Sequence, residues 1–278
     1  MKKLMFVSLR LKTLFVSVIS LFALSANLKA EPVIAVDSKA LISEIRNIYR
    51  RQHAMMQTLS FEVLTREGKI KDSQFVEEST TNKILAYRFV GDSTVKAERI
   101  FAGSINGEPV TPDKLEEMIK KREEAAKKRE RNRKQGEISL SMYKPFLASH
   151  EQLYDISYKG TTTPKNSERL CHQFDVRCNE ESDSTVNGTF YFDAETLFMV
   201  RGEFSPTKIP KGAMFNMKEM SMELDFAPMS DSVWMPVEFR LQGRAKAMMF
   251  IGVNFAVQES YRNPKINDPG TDTLFVSK

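Results

Sequence analysis

The chain has 278 residues, 41% of them apolar and 28% charged, enough to bury a core in one large or two small domains. Its 41 basic side chains exceed its 36 acidic ones, but residues 1–30 hold five of the basic and none of the acidic, so residues 31–278 carry 36 of each. A nucleic-acid partner needs a strong net positive field, and from residue 31 onward that field is missing.

The N-terminal residues have three parts in order. Lys2, Lys3, Arg10 and Lys12 lead into an uncharged apolar stretch at 14–26, and Ala30 then precedes Glu31-Pro32. Such a stretch is shorter than the roughly 20 residues that span a bilayer, and the order charged, apolar, small is that of a secretory signal. Residues 1–30 are predicted to be a signal peptide cleaved between Ala30 and Glu31, which directs the chain to the periplasm. No cysteine precedes Cys171, so no lipid-bearing cysteine follows the signal, and no later run reaches 18 apolar residues. A soluble product is expected.

Asp37 or Ser38 caps a predicted helix running to Gln57, with Leu41, Ile45, Ile48, Tyr49, Met55 and Met56 on one side and Arg46, Arg50 and Arg51 on the other. Strand alternation follows in Leu59, Phe61 and Val63, with Gly68 read as a turn. It resumes in Ile84, Ala86 and Arg88 against Leu85, Tyr87 and Phe89, and continues over 95–101 to a turn at Asn106-Gly107. Thr111-Pro112-Asp113 starts a second helix, with Pro at its first position. Leu115, Met118 and Ile119 give it one apolar turn. The run that opens on Lys120 and closes on Lys134 then holds nine basic and three acidic residues. Residues 112–135 read as a charged helical insertion with almost no face to bury.

From Gln152 onward strand follows strand, over 153–158, 170–177, 188–192, 197–204, 214–226, 233–241 and 245–259, with Gly243 read as a break between the last two. Short connections between consecutive strands imply antiparallel meanders. Residues 263–278 are polar, contain Pro264 and Pro269, and read as an irregular tail. The predicted fold is mainly β with some α: a long antiparallel sheet over 31–262, with the N-terminal helix packed on it.

Chemistry-bearing patterns are sparse. His53, His150 and His172 lie far apart without metal-ligand spacing, and no nucleophile-elbow, zinc-protease or phosphate-loop motif occurs. A non-enzymatic chain without metal or cofactor is expected, a carboxylate-pair hydrolase being the least favoured alternative. Cys171 and Cys178 are the two cysteines. Export permits a disulfide between them. A straight strand would set them roughly 23 Å apart, so a bond requires a turn between them.

The residues that stand out are soft and apolar. Met220, Met222, Leu224 and Phe226 share one strand face, and a bulge near Lys218-Glu219 would bring Met217 onto it. Phe239, Phe250 and Phe255 add to this surface. Methionine adapts to varied apolar partners, so these residues line a ligand surface or fill a core. The run from Lys120 to Lys134 is a solvated helix face, or a contact for anionic headgroups or a membrane-associated protein partner.

A resemblance adds to this reading. The helix running straight into Leu59-Ser-Phe61-Glu-Val63 is its first part. The hairpin Gly188-Thr-Phe190-Tyr-Phe192-Asp193-Ala-Glu-Thr196, the strand Met199-Val-Arg201-Gly-Glu203, the turn Asp231-Ser-Val-Trp234-Met-Pro236 and the closing Glu259-Ser-Tyr261-Arg262 follow in order. This succession resembles the LolA/LolB-like superfamily of periplasmic lipoprotein carriers, which includes sensor domains of sigma-factor regulators. It implies a half-open antiparallel barrel whose concave apolar face is covered by helices. The implied function is binding or carriage of lipid or lipoprotein acyl chains, as in outer-membrane biogenesis, with Met217, Met220, Met222, Leu224, Phe226, Phe239, Phe250 and Phe255 as lining. The alternative on the same fold is a protein–protein sensor or scaffold. Helix 112–135 is longer than a simple lid requires.

Overall fold

A computed structural model describes residues 37–90, 93–132, 144–182, 185–209, 215–247 and 251–275. The signal segment with Ala30 and Glu31, the second half of the 120–143 region and Phe250 lie outside them. Residues Lys39–Lys278 cluster as one unit.

Alternating strands dominate. Helix α1 (Ser38–Met55) is followed by β1 (Thr58–Lys71), β2 (Gln74–Val90), β3 (Ser93–Ile105) and β4 (Glu108–Pro109). Helix α2 (Pro112–Asn132) and two short 3₁₀ turns (Lys144–Phe146 and Ala148–Leu153) lead into β5 (Tyr154–Thr162), β6 (Cys171–Cys178) and β7 (Val186–Asp193). Then come β8 (Met199–Pro206), β9 (Phe215–Ser230), β10 (Val233–Ala247) and β11 (Ile251–Ile266). A one-turn helix α3 (Pro269–Asp272) and a 3₁₀ turn (Thr273–Phe275) end the described chain.

All eleven strands form one sheet in the order β4-β3-β2-β1-β11-β10-β9-β8-β7-β6-β5. Every neighbouring pair is antiparallel. Among the described residues β4 and β5 do not pair, so the sheet stays open, in line with the predicted half-barrel. Two meanders, β1–β4 and β5–β11, are joined by the pairing of β1 with β11, which sets Val63 opposite Tyr261 and Thr65 opposite Glu259.

The turns follow local chemistry where the backbone demands it. Asn106 and Gly107 both have positive φ between β3 and β4, as a tight hairpin requires. Gly68 and Gly243 were expected at turns; both lie inside strands. A Cβ on Gly68 would come within 2.1 Å of the Val76 carbonyl oxygen. One on Gly243 would lie 2.4 Å from Cζ of Phe255, whose ring crosses that position. Close approach, not turning, explains these glycines. The real β1–β2 turn uses Asp72 and Ser73, both at positive φ. Residues 245–247, read as the start of a separate strand, belong to β10.

Helix α1 ends at Met55 rather than Gln57 because the far end of the chain stops it. Asn267 donates from Nδ2 to the Met55 carbonyl at 2.9 Å, and its Oδ1 accepts the N–H groups of Gln57 (2.7 Å) and Thr58 (3.1 Å). The expected irregular tail is therefore corrected: β11 continues to Ile266, and the turns behind it dock on β1, where buried Thr271 shares a 2.9 Å hydrogen bond with Ser60. Met55, expected on the apolar side of α1, is exposed.

Helix α1 is pinned along its length. Ile45 enters an aromatic core built on Phe146, Phe174, Phe190 and Phe192. Ile48 packs with Phe198 and Trp234, and Met56, just beyond the helix, packs with Phe61 and Leu85. Gln52 donates to the Trp234 carbonyl (2.9 Å) and accepts the Trp234 N–H (3.3 Å), fixing the helix to β10.

Candidate functional site

One face of the sheet can be followed residue by residue across the strands. The first row runs Phe174, Phe190, Gly202, Leu224, Phe239, Glu259, Thr65, Thr81 and Gly103. The next runs Val176, Gly188, Phe204, Met222, Leu241, Val257, Glu67 and Ser79. Along both rows the side chains are apolar or glycine from β6 to β10 and polar on β1 and β2.

The aromatic end is closed. Phe174, Phe190 and Phe192 have no exposure, and Phe146 meets all three edge-on at ring distances of 4.8 to 5.9 Å. Helix α1 contributes Ile45, and Arg46 Nε holds the Phe146 carbonyl at 2.6 Å. Met222, 6% exposed, and Leu224 belong to this core. Both were expected to line a ligand surface; they are closed over by protein because β8 sets Phe204 and Gly202 directly beside them. Phe226 packs half-buried against the same cluster.

The middle of the face is different. Met217 and Met220 on β9, Phe239 and Leu241 on β10, and Val253, Phe255 and Val257 on β11 are all half-buried. The bulge expected near Lys218 is present. Glu219 pairs with Arg244 and Met217 with Ala245, leaving Lys218 unpaired, so Met217 stays on the face of Met220. The Phe255 ring lies over Gly243, next to Met220. The result is an apolar strip across three adjacent strands, which the described residues leave open to one side rather than enclose. Four predicted lining residues meet there: Met217, Met220, Phe239 and Phe255. Leu241 and Val257 were not picked out from the sequence; their alternation with Phe239 and Phe255 was the available signal.

Beyond the strip is a buried ionic group that sequence reasoning missed altogether. Lys83 on β2, 7% exposed at its side chain, lies 2.9 Å from Glu259 Oε1 and 3.4 Å from Glu98 Oε2. Glu259 also accepts from Thr65 Oγ1 (3.0 Å) and from the Tyr261 hydroxyl (2.7 Å). Burial by itself would raise the Glu259 pKa, but the Lys83 charge and the hydrogen bonds from Lys83, Tyr261 and Thr65 hold it below the usual carboxylate range. Burial and then Glu259 and Glu98 push the Tyr87 hydroxyl up to about 12. Glu259 is thus a fixed carboxylate with its acceptor sites taken, set beside Phe239 at the edge of the strip.

The opposite face carries structural ion pairs. Arg201, 3% exposed, binds Glu203 (2.7 Å), Glu223 (2.7 Å) and Asp225 (2.6 Å), and Arg240 reaches Glu223 and Asp225 as well. This network ties β8, β9 and β10 and explains the Arg201-Gly-Glu203 motif. In the Asp193-Ala-Glu-Thr196 hairpin, Asp193 Oδ1 accepts the Glu195 and Thr196 N–H groups and the Thr196 hydroxyl, while Oδ2 meets Arg169 at 3.1 Å. The Arg169 guanidinium in turn covers Trp234.

Cys171 and Cys178 are free thiols at the two ends of β6, with no turn between them to bring them together. The histidines stay apart. His53 meets Phe89 edge-on, His150 pairs with Ser149, and His172 shares a 2.9 Å hydrogen bond with Tyr158. Among the described residues no group of three or more His, Cys, Asp or Glu is placed to hold a metal. A shallow cavity of about 170 Å³ lies apart from the strip, beneath the C-terminal turns, with Glu62, Arg99 and Lys265 in its wall.

No family model matches this chain, and no curated protein matches it. Solved structures similar to it include a domain described as an outer membrane lipoprotein-sorting protein domain from Vibrio parahaemolyticus. That structure has 10% identity and a TM-score of 0.43, over 84% of this chain and 99% of the other. A DUF1329 family protein from Desulfovibrio piger is similar at 8% identity and a TM-score of 0.40, over 86% and 97%. A LolA superfamily protein from Nitrosomonas europaea is similar at 8% identity and a TM-score of 0.32, over 84% and 97%. The likeness is one of chain arrangement, and no residue role is carried over from it.

Proposed function

We propose that the protein is a non-enzymatic periplasmic binding or carrier protein for lipid or lipoprotein acyl chains. The observation that supports this is the half-buried strip of Met217, Met220, Phe239, Leu241, Val253, Phe255 and Val257, beside a core that is already closed. Covering such a strip removes apolar surface from water, worth about 0.8 kcal/mol for each methylene buried. Two thioethers let the surface adapt to flexible chains. The charged, apolar and small segments of residues 1–30 support export. Among the described residues no helix is long and apolar enough to cross a membrane. The fully partnered Lys83–Glu259 pair marks where an apolar cargo stops, because covering it would strip water from charges for no new contact.

Mass spectrometry of protein purified from its own periplasm without delipidation tests this reading. Lipid should co-purify with the native chain and be lost from Met220→Asp and Leu241→Asp, which keep the fold. Native protein that carries no lipid contradicts it.

A second reading, a protein–protein sensor or scaffold, draws on the closed aromatic end, which leaves only part of the face for a small ligand. A stoichiometric protein co-purifying in place of lipid, and released by the same two substitutions, would favour it.

A further inference from the structure

The open sheet has two edges, and they are not alike. On β5 the pairing with β6 slips between Tyr158 and Gly160, and Gly160 takes a positive φ. A bulge of that kind blunts an edge. On β3 the bulge comes only at Phe101, which has no partner on β2, and β4 covers no more than Ser104 and Ile105. That leaves a regular run from Ser93 to Ile100 with neither proline nor glycine. Among the described residues no strand pairs with its outer side.

The parity of that edge follows from β2. The Gln57 carbonyl accepts the Phe89 N–H at 2.9 Å, so Phe89, Tyr87, Leu85 and Lys83 turn their backbone groups toward β1, and Arg88, Ala86 and Ile84 turn theirs toward β3. Opposite these last three lie Val95, Ala97 and Arg99. The N–H and C=O groups of Lys96, Glu98 and Ile100 therefore point outward, as a template for another strand. The side chains of Lys96 and Glu98 lie on the face that carries the strip, where Glu98 is 3.4 Å from Lys83 and 4.0 Å from Lys96.

We infer that a second copy of this chain pairs antiparallel with β3 about a two-fold axis at Ala97, joining two eleven-stranded sheets edge to edge. Charge selects both the occupant and the register. With the axis at Ala97, Lys96 of each copy stands opposite Glu98 of the other, giving two opposite-charge cross-strand pairs, and every outward-pointing residue meets an outward-pointing one. An axis at Lys96 or at Glu98 would set like charges against each other. On the reverse face the same register lays Val95, 48% exposed, against the Arg99 stem of the other copy. Such an axis is perpendicular to the sheet, so the strips of both copies open on the same side. This goes beyond acyl-chain binding and does not depend on it.

The test is analytical ultracentrifugation of the full exported chain over a dilution series, in which the mass should rise from one chain to two with concentration. Lys96→Glu turns both cross-strand pairs repulsive and should weaken association roughly tenfold or more. Lys96→Pro removes an outward donor, leaves the bonds between β2 and β3 in place, and should abolish association. Lys96→Arg should retain it. Circular dichroism of the dilute protein should match the native chain for all three; should Lys96→Pro fail to fold, Lys96→Glu still decides. Hydrogen exchange reads the parity directly: the amides of Lys96, Glu98 and Ile100 should slow as concentration rises, and those of Ala97 and Arg99, already bonded to β2, should not change. A single-chain mass throughout a series reaching roughly 1 mM, association undiminished by Lys96→Glu, or a dimer that leaves the outward amides unprotected would each overturn the inference. Protection of those amides only when a different polypeptide is bound to a single chain would overturn it too.

Discussion

The two ends of the same sheet face solve opposite problems. From β5 to β9 aromatic rings meet edge-on beneath α1, and nothing of Phe174, Phe190 or Phe192 reaches solvent. From β9 to β11 the residues remain apolar but, among the described residues, no helix closes over them, and seven of their side chains are left half-buried. Neighbours in register, such as Met222 and Leu241, differ in degree: Met222, with Phe204 beside it on β8, is a buried member of the aromatic cluster, whereas Leu241 packs against that cluster from its edge and stays half-buried. Apolarity alone does not distinguish core from site; what covers the residue does.

That comparison can be broken at its closed end first. Phe190→Ala should cost about 3–5 kcal/mol in denaturant unfolding, since the cavity would sit among rings that cannot collapse. A loss under about 1 kcal/mol would mean the aromatic end is not the core. Met222→Asp places a charge in the same region and should prevent folding, whereas Met220→Asp, two residues along, should leave Tm within a few degrees of native. Equal effects from the two would erase the distinction between core and strip.

The boundary between the ends gives a somewhat smaller effect with a pH signature. Lys83→Met leaves Glu259 buried without its counter-charge, which should cost about 3–5 kcal/mol at neutral pH. In the native chain Glu259 has a lowered pKa, so its contribution is present above the unfolded carboxylate pKa of about 4.3 and is lost as pH falls through the lower folded value. In the variant the Lys83 charge and hydrogen bond no longer offset burial, so the pKa rises and stability should increase as pH drops from 7 toward 5. Urea midpoints across that range decide; a variant whose stability stays flat or falls on acidification contradicts the role given to Lys83.

Smaller still is the link between α1 and β10. Gln52→Leu removes both bonds to the Trp234 backbone and should cost about 2 kcal/mol. It should also raise hydrogen exchange in α1 before it does so in β6 and β7. Simultaneous exchange would show that the helix and the aromatic core open as one unit.

Local features of this molecule were legible in its sequence and long-range ones were not. Asn106-Gly107, Pro112 at a helix start and the bulge at Lys218 each follow from a few neighbouring residues. The Asp193-Ala-Glu-Thr196 hairpin was visible as a motif, and its hydrogen bonds show why those residue types stand there. Gly68 and Gly243 misled because a glycine that admits a neighbouring carbonyl or ring looks the same in sequence as one that turns. The tail misled because Asn267 acts on Met55 and Thr58, more than 200 residues earlier. The candidate site shows the same division. Strand parity found Met217, Met220, Phe239 and Phe255, but could not separate them from Met222 and Leu224, whose cover comes from β8 and α1. Lys83 and Glu259, 176 residues apart, were invisible as a pair.

The central claim is that acyl chains lie on the strip of β9–β11 and not within the aromatic end. Photo-crosslinking with a diazirine-bearing fatty acid supplied to cells, followed by peptide mapping of the purified protein, addresses it most directly. Crosslinks on the strands carrying Met217, Met220, Leu241 and Phe255 are the predicted result. Crosslinks confined to β5–β7, or a protein that takes up no label, would contradict it.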